Sequence, residues 1–165
     1  MREALKAINE LKRKKLIEDY AVGGGIAALF YIEPFLTYDL DVFISVPLQK
    51  EGSRIISLSP LYDYLEKKGC SWKGEHILAG GVPVQFIPAD KLEVEAIANA
   101  KSVEYDGIKT KVFTPEYLIA ILLRVGRKKD FYKIDMLTRQ ADINRKTLDD
   151  ILKRYNLAET FRRLK

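Results

Sequence analysis

Cysteine and histidine are almost missing from this chain of 165 residues, where Cys70 and His76 are the single representatives of each. One thiol builds no disulfide framework within a chain, and one thiol with one imidazole cannot complete a Cys/His zinc site. Neither residue has a triad partner of its own kind, so neither makes a catalytic case. The fold must rest on its hydrophobic core, for which this length suffices in a single ordinary domain. Also missing is any apolar run approaching the eighteen or so residues that cross a bilayer. The opening Met1-Arg2-Glu3-Ala4-Leu5-Lys6 is too charged to read as a signal peptide, so the expected setting is the cytoplasm, away from membranes.

What is present is charge, unevenly placed. Residues 1–108 carry 13 Lys/Arg against 16 Asp/Glu, a net −3, whereas residues 109–165 carry 15 against 7, a net +8. A basic end of this kind attracts phosphate backbones through counterion release, and it equally describes a solvated helical face. The candidates for backbone contact are Arg124, Arg127, Lys128, Lys129 and Lys133, with Phe131 and Tyr132 interleaved for base stacking or helix packing.

Periodicity divides the chain into strands first and helices last. Leu5, Ile8, Leu11 and Leu16 predict an amphipathic helix within the first seventeen residues. Tyr20-Ala21-Val22 predicts a strand, and residues 26–31 a helix that starts directly after Gly23-Gly24-Gly25 and closes before Pro34. Residues 37–46 alternate cleanly and predict a strand with Asp39 and Asp41 on one face. A loop over 49–53, a helix from Ser59-Pro60 to Gly69, and a hairpin of strands 75–78 and 82–88 follow. Then come a helix over 91–99, two short strands around Tyr105-Asp106-Gly107-Ile108, and a helix opened by Thr114-Pro115-Glu116, with the threonine hydroxyl as cap. Helices over 131–138 and 145–155, the latter capped by Asn144, and a last turn around Phe161 complete the chain. The expectation is an α+β fold, a small mixed β-sheet flanked by helices. Residues 1–113 would form the core and 114–165 a helical C-terminal subregion packed as part of the same domain.

The chemistry concentrates in one segment. Glycines bring bare backbone N–H groups close to a phosphate, so Gly24 and Gly25 at a helix start are candidates to hold a triphosphate. Fourteen residues beyond Gly25 stand Asp39 and Asp41, about 7 Å apart along a strand face. Two carboxylates so close repel unless a divalent cation sits between them, and magnesium accompanies a nucleoside triphosphate. Nucleotidyl transfer needs little else from a protein than positioning and charge neutralisation.

Gly24-Gly25-Ile26-Ala27 followed by Thr37-Tyr38-Asp39-Leu40-Asp41 resembles the Gly-Gly/Ser turn and Asp-x-Asp of the DNA polymerase β-type nucleotidyltransferase superfamily. Thr114-Pro115-Glu116-Tyr117-Leu118-Ile119-Ala120 with Arg127-Lys128-Lys129-Asp130-Phe131 resembles the C-terminal signature of its AbiEii-like, toxin-antitoxin branch. The resemblance implies Mg2+ held by Asp39 and Asp41 and an NTP substrate on Gly24, Gly25 and Thr37. It further implies transfer of a nucleotidyl group to a hydroxyl of RNA, tRNA or protein, and a cognate antitoxin as partner. Lys129 and Asp130 would be accessory.

Three positions depart from that pattern. Gln85 stands where a third carboxylate is expected, Leu122 replaces a helical lysine, and Phe35 replaces an arginine before the threonine. An amide neither accepts the proton of an attacking hydroxyl nor brings charge to a metal. Asp90 and Asp130 are the nearest acids that could turn into the site. The alternative expectation is therefore a catalytically weak or inactive module of the same fold that binds nucleotide, RNA or a partner protein.

Overall fold

The computed structural model describes residues 1–47 and 57–164. The loop expected over 49–53 lies outside the described residues. Among them the chain forms one seven-stranded sheet in the order β3-β4-β5-β2-β1-β7-β6. The strands are β1 Asp19–Val22, β2 Leu40–Ser45, β3 Ser71–Lys73, β4 His76–Ala79, β5 Val82–Pro88, β6 Lys101–Tyr105 and β7 Ile108–Val112. Central β2 runs antiparallel to β1 and parallel to β5, so the sheet is mixed, as the strand pattern predicts.

Among the described residues eight helices accompany it: α1 Arg2–Arg13, α2 Gly24–Ala28, α3 Ser59–Lys67, α4 Lys91–Ala98, α5 Pro115–Val125, α6 Lys128–Gln140, α7 Arg145–Arg154 and α8 Ala158–Arg162. Helix α1 buries Ala4, Leu5, Ile8 and Leu11, the i, i+3/4 stripe read from the sequence, and its charges face water. It is tied down by Tyr20, whose hydroxyl donates to Asn9 Oδ1 at 2.7 Å and meets Thr110 Oγ1 at 3.1 Å. Among the described residues no helix is long and apolar enough to cross a membrane.

Four local expectations need correction. The helix after the glycines starts at Gly24 itself and stops at Ala28, well short of Pro34, so it has five residues. The strand holding the aspartates starts at Leu40, which leaves Thr37 and Asp39 in the segment leading into it. The hydroxyl of Thr114 makes no capping bond. Pro115 sets the start of α5 instead, while the buried Glu116 accepts the backbone N–H of Asn144 at 2.8 Å. Strand β3 lies outside the strands that the sequence pattern predicts: its three residues are exposed, and it adds to β4 at the edge of the sheet.

The C-terminal helices are joined to the sheet through α5, which is buried almost throughout and abuts α2, α4, α6 and α7. One polar knot fastens this assembly. Glu95 on α4 accepts the Tyr117 hydroxyl at 2.9 Å and the Tyr155 hydroxyl at 2.6 Å, and is also paired with Arg154. Burial by itself would raise the Glu95 carboxyl, but the bonds from Tyr155, Arg154 and Tyr117 outweigh it and hold the group below its ordinary value. Burial and the same bond push Tyr155 up to about 12. An acid lowered in the folded state stabilises above its unfolded pKa and loses that contribution as pH falls through the folded one. Glu95→Ala leaves two tyrosine hydroxyls without their acceptor and is expected to cost about 2 kcal/mol, roughly 5 °C in melting temperature. Thermal scans at pH 7 and pH 3 check it, because the gap between wild type and variant should narrow at the lower pH.

Candidate active site

The sheet brings the sequence's separate candidates to one place. The turn from β1 into α2 lies against β2, with the N–H of Gly23 donating to the Asp41 carbonyl at 2.9 Å. Gly24 has φ +55°, and a Cβ there would overlap the Asp41 carboxylate. At Gly25 a Cβ would lie 2.5 Å from Thr37 Oγ1. Both glycines are therefore demanded by side chains that press on the turn, the aspartate on one and the threonine on the other. Since α2 has only five residues, what it can offer a phosphate is bare N–H groups rather than a helix dipole. Gly24→Ala combines left-handed strain with displacement of Asp41. It is expected to cost at least about 2 kcal/mol and to weaken binding of magnesium triphosphate, read by melting and by calorimetry.

Gly25, Thr37, Asp39, Asp41, Gln85 and Lys129 all line one cleft of about 510 Å³, together with Arg127 and Lys133. Burial pushes the Asp41 carboxyl above its ordinary range, and the charge of Asp39 pushes it the same way. Lys133, Arg127 and Lys129 pull it back without cancelling the rise. Among the described residues no ion pair reaches Asp41, whereas Asp39 Oδ2 lies 3.8 Å from His76 Nε2. Two facing carboxylates, one of them unpaired and strained by the other, suit a cation that takes one or two protein oxygens and completes its shell with water and phosphate. No group of three or more Asp, Glu, His or Cys that could hold a metal occurs among the described residues. A site made wholly of protein ligands is therefore not what they form.

Gln85, where the resemblance implies a third acid, lies beside Asp41. It pairs in register with Asp41 across the parallel β2–β5 ladder, so both side chains leave the same face of the sheet. It also lines a second cleft, of about 320 Å³, that shares Asp41 and Arg127 with the first and is floored by Phe43, Ile87 and Leu122. Leu122 thus reaches this second cleft as an apolar wall. Phe35 lines the first one beside Thr37.

Neither rescuing acid is free. Asp130 is 0% exposed, and its carboxylate accepts Arg127 Nε at 2.8 Å and Nη2 at 3.2 Å, with Lys133 Nζ at 3.7 Å. It holds the cationic wall in place from beneath and does not line the first cleft. Its bond raises the already high Arg127 further, so that guanidinium is a fixed positive charge. Asp90 caps α4 through the Leu92 N–H at 3.0 Å and takes Arg124 Nη1 on both oxygens at 2.8 Å. Arg124, also paired with the buried Glu93, is consequently withdrawn from the set of phosphate contacts expected from composition.

His76 is the residue that sequence reasoning passed over. It begins β4 one position before Ile77, which pairs Val84, so it lies beside the row formed by Gln85 and Asp41. The predicted hairpin carried that signal, but without the order of strands nothing linked it to Asp39.

No family model and no curated protein sequence matches the chain at a significant level. Solved structures do resemble it. An antigenic nucleotidyltransferase-like protein from Paracoccidioides brasiliensis superposes with TM-score 0.55 at 19% identity, over 97% of this chain and 90% of that one. The antibiotic-resistance factor ANT(2'')-Ia superposes with TM-score 0.51 at 16% identity, over 99% and 98%. At such identities the likeness speaks for architecture, and the mixed sheet with its flanking helices is a nucleotidyltransferase-like fold.

Proposed function

We propose that this chain is a magnesium-dependent nucleotidyltransferase that moves a nucleotidyl group from a nucleoside triphosphate to a hydroxyl of RNA, tRNA or protein. The observation that carries the reading is the shared cleft: Asp39, Asp41, Arg127, Lys129 and Lys133 line one space together with Gly25 and Thr37, close enough for the three cations to act on the Asp41 carboxyl. Acids and cations that line the same space suit a metal-bound polyphosphate, the acids meeting the metal and the cations the phosphates. Asp39 and Asp41 would hold the metal, the N–H groups of Gly24 and Gly25 with Thr37 would hold phosphate oxygens, and Lys129 would neutralise them. Bound magnesium would offset the charge that develops on the transferring phosphoryl group.

In-line displacement places the attacking hydroxyl opposite the leaving pyrophosphate. With polyphosphate over the cations, the acceptor enters from the second cleft, past Gln85. The resemblance to the AbiEii-like branch makes a cytoplasmic toxin-antitoxin pair the setting we propose, with the antitoxin as protein partner. The exposed Lys128, which lines neither cleft, remains for contact with an RNA acceptor.

A second reading, a module that binds nucleotide without efficient transfer, is favoured by the amide of Gln85 beside Asp41. Incubation with each labelled nucleoside triphosphate, magnesium and total RNA, alongside calorimetry of the same magnesium complexes, separates the two. Label on RNA or protein supports the transferase, binding without label the module, and neither result sinks both.

A further inference from the structure

Among the described residues nine large apolar side chains are exposed, and the three most exposed all line the acidic and cationic cleft: Leu36 at 75%, Tyr38 at 74% and Tyr132 at 62%. Apolar side chains gathered at one mouth, rather than scattered singly, mark a surface that something covers. Tyr38 immediately precedes Asp39, and Tyr132 stands one turn from Lys129 on α6, so an aromatic group accompanies each set of charges. Its neighbour Phe131 packs against the core, which leaves Tyr132 as the aromatic of that pair available to a ligand.

We infer that Tyr38 and Tyr132 form a stacking platform for the base of the donor nucleotide, which is held by its π-face with no reading of its edge. The inference rests on the proposed nucleotide site and deepens it. A polyphosphate anchored between Asp39, Asp41 and Lys129 must send its nucleoside toward one end of the cleft, and the aromatic mouth offers that nucleoside a surface matched to a planar ring. Gln85 lies in register with Asp41, and the aspartates, Thr37 and the cations of the cleft are assigned to metal and phosphate, which leaves the base its π-face. Every base has a π-face, so a platform without edge contacts accepts all four donors, with purines favoured for their larger rings.

The test is calorimetric titration of the magnesium complexes of ATP, GTP, CTP and UTP, and of inorganic tripolyphosphate, into wild type, Tyr132→Ala, Tyr38→Ala and Tyr132→Phe. The expected result is that wild type binds the four nucleotides within about fivefold of one another and roughly tenfold more tightly than tripolyphosphate. Each alanine variant should lose most of that advantage while its tripolyphosphate affinity stays put, which shows an intact fold and phosphate site, and Tyr132→Phe should recover it. Nucleotide affinity untouched by both alanine changes, or one base preferred by fiftyfold or more, overturns the platform while the nucleotide site stands. Failure of wild type to bind any of the five overturns both.

Discussion

Asp41→Asn is expected to lower nucleotidyl transfer on the order of 10³-fold, since a lost charged metal ligand removes several kcal/mol of transition-state stabilisation. The same change should leave the metal-free chain at least as stable at neutral pH as wild type. Burial and the neighbouring Asp39 both raise the Asp41 carboxyl in the folded state. A raised acid binds its proton more tightly folded than unfolded, so its favourable contribution exists at low pH and disappears as pH rises through the folded pKa. Above that point the ionised group works against the fold, and the neutral amide relieves it. Function and stability thus move in opposite directions, a pairing that a merely structural aspartate would not give. Single-turnover transfer assays with thermal scans at pH 7 and pH 4 measure both. A variant that melts well below wild type at pH 7 without magnesium contradicts the account of Asp41. Magnesium and a triphosphate should raise the melting temperature of wild type and do so far less for the variant.

The particular residues show why much of this was legible in advance and some was not. Leu40, Val42 and Ile44 alternate with Asp41, Phe43 and Ser45, so the strand and the side on which the acid lies follow from a period of two, although Phe43 on the acid's side is buried as well. Helix α1 follows from its apolar stripe in the same local way. What local pattern cannot supply is the order of strands. Only the parallel pairing of β2 with β5 sets Gln85 beside Asp41, and only the next strand out brings His76 to Asp39. Nor does it tell which charges are already engaged. Arg124 and Arg127 read alike in the sequence and both are ion-paired, yet Arg124, bound to Asp90 and Glu93, lines the second cleft alone, whereas Arg127, held by Asp130, lines both. The Ala- and Leu-rich run after the glycines has helical propensity, yet α2 stops at Ala28 and the chain turns away to bring Thr37 over Gly25.

Gln85→Asp is expected to raise the transfer rate by about 10²-fold or more, the usual contribution of a positioned general base. Because Gln85 and Asp41 are in register on adjacent parallel strands, an aspartate there enters both clefts at the junction where the acceptor hydroxyl would meet the phosphorus. The change adds a third negative charge next to a carboxyl already pushed up by its neighbour, so without magnesium the variant should melt below wild type at neutral pH and recover toward it as pH falls. With magnesium and a triphosphate the order should reverse, as the added charge then meets a cation. Gln85→Glu separates proximity from placement, for its extra methylene carries the carboxylate further into the cleft and should restore less. A rate that stays at the wild-type level in Gln85→Asp, with the magnesium-dependent stabilisation present, would show that the acid alone is not what limits transfer. Leu122, which lines the second cleft where the resemblance implies a lysine, is then the next position to exchange.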